Sequence, residues 1–463
     1  MLVAANDFLW GQLLIVVLIV VGVIFTVSSR FVQFRYFGRM FSVLRGARHR
    51  RKGQISSFQA LVVSVAGRVG SGNIAGVAVA ITLGGPGAIF WMWIIGLMGM
   101  ATSFFECSLA QLYKRVDASG SFRGGPAYYL THGIGQKWLA IIYSVLLLLT
   151  FGFGFNAVQS YVVATSVNAS FGIPTWVTGL VMVVLLAGTI FGGMKRIAVV
   201  AEVIVPVMAV GYLLCAVLVI GMNISEIPAV LSRIVSSAFG LDSAVGGGIG
   251  IAILHGVRRG LFSNEAGLGS APNVAAVATV PHPVNQGIVQ AFSVFIDTIV
   301  MCSCTAFIIL LSDVYQPGSV EVSGVTLTQN ALASHVGAWG GSFVSVALLL
   351  FSFSSIMYNY YLGENSLNFF SEDNVKLFNV FRVMVLGLVF WGSFQDLGTV
   401  FAFADLTMGL LAVVNLVGLV WMSKIGLRLL RDYDLQLKSG EQPKFRAEDY
   451  SDLDIDIRAW PEK

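Results

Sequence analysis

The stretch Val65-Ala66-Gly67-Arg68-Val69-Gly70-Ser71-Gly72-Asn73-Ile74-Ala75-Gly76 decides how this chain reads. It sits inside an apolar run, residues 57–82, long enough to cross a bilayer, which takes about 20 residues. Four glycines within ten residues, beside Arg68, Ser71 and Asn73, make a weak place in the middle of that helix. Small residues at four-residue spacing also let helices pack closely in lipid, and that explains Gly72 and Gly76 equally well. It does not explain Arg68 or Asn73, because an unpaired polar group at mid-bilayer costs several kcal/mol. An unwound segment accounts for all of them. Its carbonyls are free to ligate a cation, the half-helix that follows offers N–H groups to an anion, and Asn73 supplies a donor and an acceptor to a zwitterion.

A second stretch, Gly256-Val257-Arg258-Arg259-Gly260-Leu261-Phe262-Ser263-Asn264-Glu265-Ala266-Gly267-Leu268-Gly269-Ser270, interrupts another apolar run in the same way. The membrane-length runs fall at 8–28, 57–82, 87–112, 138–168, 175–192 and 197–221, then at 246–275, 285–312, 341–363, 375–393 and 397–423. That makes eleven: one extra N-terminal helix and two groups of five. Each interrupted run is the first of its group, and an odd number per group inverts the second relative to the first. Paired breaks in inverted halves point to a transporter with its site at the bilayer midplane. The expected architecture is an all-α polytopic membrane protein with two broken helices. Its segments are 1–56 (first helix and basic loop), 57–221 (first repeat), 222–245 (outer connection), 246–423 (second repeat) and 424–463 (tail).

The composition agrees. Hydrophobic types make up 56% of the 463 residues and charged types 11%, against roughly 25% charged in soluble domains. A soluble enzyme and a disordered chain are both excluded. Of 28 Lys and Arg, 23 fall in alternate connections (29–56, 114–137, 193–197, 364–376) and in the tail from 424. The positive-inside rule then sets the N-terminus outside and the C-terminus in the cytoplasm, in the plasma membrane, the bacterial inner membrane. The dense basic loop with Arg30, Arg35, Arg39, Arg45, Arg48, Arg50, Arg51 and Lys52 reads as an anchor on membrane lipid, not a nucleic-acid site. The tail reads as polar and loosely ordered. No secretory cleavage site follows the first run, which is expected to be retained. Cys107, Cys215, Cys302 and Cys304 lack metal-ligand spacing and read as buried apolar residues; no organic cofactor is implied.

Other polar residues lie within runs. Asn156 and Gln159 suit either interhelical hydrogen bonds or substrate contact. Ser354 and Ser355 are adjacent hydroxyls, hard ligands suited to Na⁺ if they face an unwound helix. Glu106, Glu202, Asp297 and Asp405 must pair or carry a proton, with Arg68, Arg258 and Arg259 as available partners and Asp297 the candidate for coupling. His255 reads as a helix contact. An ion channel would need a filter ring, and an intramembrane enzyme a nucleophile–base pair; neither pattern is present.

Gly84-Gly85-Pro86-Gly87-Ala88-Ile89-Phe90-Trp91-Met92-Trp93-Ile94-Ile95-Gly96 resembles the signature of the alanine or glycine:cation symporter family. Val69–Gly76, Arg259–Gly267 and Ala404-Asp405-Leu406-Thr407-Met408-Gly409-Leu410 are similar to it too, and the likeness runs from about residue 10 to 430. It implies a leucine-transporter-like fold and uptake of a small neutral amino acid such as alanine or glycine, driven by Na⁺ or, in some members, H⁺. By that likeness Ser71, Gly72 and Asn73 hold the substrate carboxylate and amine, and Gln159, Phe262, Ser355 and Asn359 line the pocket. Na⁺ would bind carbonyls of Ala66, Val69 and Phe351 and hydroxyls of Ser354 and Ser355. One position departs: the family usually has Gly-Trp where this chain has Tyr358-Asn359. A hydrogen-bonding amide at 359 makes a longer polar substrate (glutamine, asparagine or serine) the alternative.

Overall fold

A computed structural model describes residues 2–46, 54–118, 120–241, 248–316, 324–395 and 397–460. Arg48, Arg50, Arg51 and Lys52 of the basic loop, and part of the 222–245 connection, lie outside the described residues. The regular elements among the described residues are helices and one two-stranded hairpin, Arg115–Val116 with Phe122–Arg123.

Among the described residues, eight helices are long and apolar enough to cross a membrane. They are α1 (Ala5–Ser28), α4 (Gly87–Leu112), α5 (Lys137–Phe171), α7 (Gly193–Met222), α10 (Pro283–Leu310), α12 (Trp339–Phe370), α13 (Val375–Gly392) and α14 (Val400–Trp421). The pair α2 (Ser57–Arg68) and α3 (Gly72–Gly84), bent by 48° at its break, makes a ninth span if taken as one. Two more expected runs are helical but shorter: α6 (Thr175–Ile190), and α8 (Gly248–Asn264) followed by α9 (Ser270–Ala275). An additional helix, α11 (Val325–Val336), lies between α10 and α12, in a stretch that carries no long apolar run. Along α7, Val203, Val207, Val210, Leu214 and Val217 form an uncovered stripe at three- to four-residue spacing, the mark of a helix face turned to lipid.

Both expected breaks are present. The first is short: a Ser56–Gln59 capping box starts α2, and the chain leaves helical geometry at Val69 (φ −80°, ψ 89°). It re-enters as a π-turn over Gly72–Gly76. The second occupies residues 265–269, with Glu265 at φ 56° and Gly267 and Gly269 at φ 93° and 80°. Gly256, Arg258, Arg259 and Gly260, expected within the interruption, are in regular helix instead. Gly256 and Gly260 serve close packing, because an added Cβ would run into the Ala88 carbonyl and into Ile95. Arg258 and Arg259 share Asp405, at 2.5 and 2.7 Å.

The two broken helices run antiparallel. Ile55, just before α2, bridges Ala278, just after α9, and Thr279 N–H donates to the Ile55 carbonyl at 3.1 Å. At the other end a Cβ on Gly84 would meet His255, a helix contact as expected for that histidine. Between these ends Gly72 faces Phe262 and Ser263, so closely that a Cβ would lie 3.1 Å from the Phe262 ring.

The tail is built, contrary to expectation. An amphipathic helix, α15 (Ser423–Lys438), is followed by a strap in which Phe445, Tyr450 and Trp460 are buried against one another. Apolar side chains spaced among the Asp and Lys supply that cluster, and composition alone hides it. The strap is pinned by Asp454 to Arg115 (2.8 Å) and His132 (2.6 Å) and by Asp456 to the Val116 N–H (3.0 Å). The Arg115 guanidinium, with His132, holds the Asp454 carboxyl below its usual range. Lys114 sits 4.1 Å above the Trp460 ring. Trp460→Ala removes this keystone and is expected to raise the rate of limited proteolysis between residues 439 and 446 several-fold while the helical bundle stays resistant.

Gly67 is pressed against the Tyr358 ring, leaving no room for a methyl group. Gly67→Ala is expected to cost about 1–3 kcal/mol by overpacking, read as a lower Tm in detergent.

Candidate functional site

The groups released at the breaks find partners, as buried backbone must in an apolar medium. At the first, Asn73 Oδ1 accepts from the Gly70 N–H (2.9 Å) and Gln159 Oε1 from the Ser71 N–H (3.1 Å). Thr305 Oγ1 donates to the Asn73 carbonyl (2.6 Å) and Thr328 Oγ1, on α11, to the Ile74 carbonyl (3.3 Å). At the second, Glu106 accepts from the Gly267 N–H (3.3 Å), Asn415 donates to the Gly267 carbonyl (2.9 Å) and Tyr143 to the Gly269 carbonyl (2.8 Å). Glu265 accepts from Ser270 (2.6 Å) and from the Tyr358 hydroxyl (3.2 Å).

Six of the seven expected pocket residues converge on the first break. Ser71, Gly72 and Asn73 form it; Gln159 reaches it from α5 and Phe262 from α8. Ser355, on α12, faces Gly70 and Gln159, where a methyl on Gly70 would meet both. Asn359 lies one turn beyond Ser355 on the same helix face. Two aromatic residues absent from the sequence reading complete the wall. Phe155 and Phe401 pack on Phe262 with ring centroids 4.8 and 5.8 Å away, and Arg259 stacks over Phe401 at 5.3 Å.

Satisfaction is incomplete in a telling way. The Ser71 hydroxyl and both polar atoms of the Asn359 amide are buried with no hydrogen-bond partner, Asn359 being 1% exposed. A buried amide left unpaired costs about 1–3 kcal/mol, and other buried groups, such as Ser64, Ser352 and Tyr361, are unpaired as well. Asn73 is different: its oxygen is held by Gly70, and its nitrogen donates to Asp297 Oδ1 at 2.6 Å.

Four oxygens of the expected cation site also gather. Ser355 Oγ lies 2.9 Å from the Ala66 carbonyl and 3.0 Å from the Phe351 carbonyl. Ser354 Oγ lies 2.8 Å from the Phe351 carbonyl and 3.4 Å from that of Ala66. Val69, the fifth expected ligand, is the residue at which α2 ends. A hydroxyl that donates to a carbonyl can rotate to present a lone pair to a cation beside it, so this set suits a small hard ion.

The remaining polar residues in the spans serve packing. Arg68 makes no ion pair among the described residues; it donates to the Gln290 carbonyl (3.0 Å), to Ser103 (2.9 Å) and to Ser293. Glu202 accepts from Gln59 at 3.1 Å, and Asn156 bonds back to the Gly152 carbonyl at 3.1 Å. Thr305 and Thr328 escaped the sequence reading, since a lone threonine in an apolar helix usually bonds to its own backbone.

Comparison with known proteins agrees with this geometry. The chain matches the sodium:alanine symporter family over residues 1–447. It is 48% identical to a probable sodium/glutamine symporter, GlnT, of Bacillus subtilis (strain 168), covering 99% of this chain and 95% of that protein. It is 38% identical to the sodium/alanine symporter AgcS of Methanococcus maripaludis, covering 91% and 94%. Among solved structures, MhsT in complex with L-phenylalanine superimposes with a TM-score of 0.57 at 11% identity, covering 82% of this chain and 99% of that one. A manganese transporter of Eremococcus coleocola gives 0.55 at 14%, covering 81% and 83%; both likenesses concern the fold alone. A multi-pass helical protein with two antiparallel broken helices, matched by the family over residues 1–447, this chain belongs to the sodium:alanine symporter family.

Proposed function

We propose that the protein couples Na⁺ entry to uptake of a neutral amino acid by alternating access. All eleven apolar runs would cross the membrane as one helix plus a 5+5 inverted repeat. The observation that carries this reading is the convergence of Ala66, Phe351, Ser354 and Ser355 oxygens beside the first break, next to the unpaired Ser71 hydroxyl. Na⁺ bound there would tie α12 to α2 and set the unwound segment in the form that takes the amino acid, and the two halves would then rock around the filled site. Ser71, Gly72 and Gln159 would hold the substrate's carboxylate and amine, and Phe262 would close over it.

Orientation follows from charge. The structure gathers three of the basic segments on one face: Arg35 pairs with Asp434 (2.9 Å) and Arg115 with Asp454 (2.8 Å). We assign that face to the cytoplasm. In Ser355→Ala, the thermal stabilisation that Na⁺ gives the purified wild type is expected to disappear, along with Na⁺-driven uptake into proteoliposomes. A full Na⁺ response in that variant would overturn the site.

For the substrate, the unpaired Asn359 amide favours a side chain that both donates and accepts, such as glutamine, asparagine or serine, over alanine or glycine. The GlnT relative lends support. Asn359→Leu is expected to raise KM for glutamine by about tenfold or more while changing alanine uptake far less. Equal effects on both would favour alanine or glycine as the substrate.

A further inference from the structure

Asp297, on α10 at the π-turn Phe295–Cys302, is fully buried and carries no function in the reading above. Its carboxylate accepts from Asn73 Nδ2 (2.6 Å), from Ser263 Oγ (2.9 and 3.0 Å) and from Thr298 Oγ1 (2.8 Å). Asn73 Nδ2 also lies 3.2 Å from the Asp297 carbonyl and 3.1 Å from Ser263 Oγ. The bland explanation for a buried acid is an ion pair with a neighbouring arginine. It fails here: the nearby Arg68 turns its Nη1 and Nη2 to the Gln290 carbonyl, Ser103 and Ser293, its Nε is unpaired, and no salt bridge to Asp297 exists among the described residues.

What the carboxylate does instead follows from its being an acceptor. It draws the NH₂ end of the Asn73 amide toward itself, which turns the Asn73 oxygen onto the Gly70 N–H at 2.9 Å. That bond closes the bend at Val69–Ser71. It also fixes the direction of the Ser71 N–H and, with it, the position of the unpaired Ser71 hydroxyl. Through Ser263 the same carboxylate grips the last turn of α8, where Phe262 projects against Gly72. One group thus holds both broken helices at the point where they cross.

We infer that Asp297 is a positioning residue for amino-acid binding, acting through Asn73 and Ser263 to lock the two breaks together. The inference rests on the symporter reading. It makes Asn73 a brace of the pocket, with Ser71 and Asn359 supplying the free polar groups.

The test uses the full chain, purified and in proteoliposomes, with glutamine and alanine as probes. Asp297→Asn keeps the shape but removes the charge and turns one of the two accepting oxygens into an NH₂ donor, which weakens the hold on Asn73 and Ser263. The Na⁺-induced thermal shift is expected to stay at the wild-type value while KM for the transported amino acid rises about tenfold and kcat changes less than about threefold. Ser263→Ala, which removes one strut, is expected to raise KM by a smaller factor. The exchange Asn73→Asp with Asp297→Asn restores an amide–carboxylate pair of reversed sense and is expected to recover most of the lost affinity, a rescue that a merely structural role would not predict. Should Asp297→Asn fail to fold, the Ser263 variant and the exchange still decide the matter. Wild-type KM in Ser263→Ala together with wild-type KM in Asp297→Asn, or with no gain in the exchange, overturns the inference. If the wild type itself shows no Na⁺-dependent uptake of either probe, the symporter reading fails and not the brace.

Discussion

Everything in this structure answers to one constraint: a helix that unwinds within an apolar medium must find partners for the peptide groups it releases. Two helices do so here, at residues 69–71 and 265–269. The threonines, asparagines, glutamines and acids of the neighbouring spans are arranged around that need. Gln159, Asn73, Thr305 and Thr328 serve the first break; Glu106, Asn415 and Tyr143 serve the second. An apolar chain with 11% charged residues tolerates these groups inside the bundle because each bonds to the backbone of a break.

Some buried polar groups stay unpaired, and two of them, the Ser71 hydroxyl and the Asn359 amide, are the ones the proposed reading gives to the substrate. Around them the walls are stiff. Gly72 admits Phe262 to van der Waals contact, Tyr358 fills the space beside Gly67 and reaches Glu265, and Phe155 and Phe401 flank Phe262. The Tyr358 ring packs on Gly67, two residues before the first break, and its hydroxyl reaches Glu265 in the second, so α12 contacts both broken helices.

The glycine-rich interruptions were legible because glycine beside Arg, Ser and Asn has no cheap explanation in lipid. The limits of the second break were not. Gly256 and Gly260 look like helix breakers in the sequence, yet they are contact points against α4, and the helix passes through them. The true break begins at Glu265, where a non-glycine residue adopts a left-handed conformation that no pattern announces. The tail was misjudged for a related reason. Its apolar residues are too sparse to show periodicity, yet Phe445, Tyr450 and Trp460 cluster once the chain folds back onto the hairpin.

Sequence alone determined the apolar runs, the two weak helices and the clustering of Lys and Arg, because each depends on local composition and spacing. Only the tertiary structure decided which polar groups are consumed and which stay free. Asn73 and Asn359 are the same residue type in similar apolar surroundings, yet one amide is fully engaged by Gly70 and Asp297 and the other by nothing. That difference arises from side chains more than two hundred residues apart meeting at one crossing, and hydrogen-bond geometry of that kind has no signature along the chain.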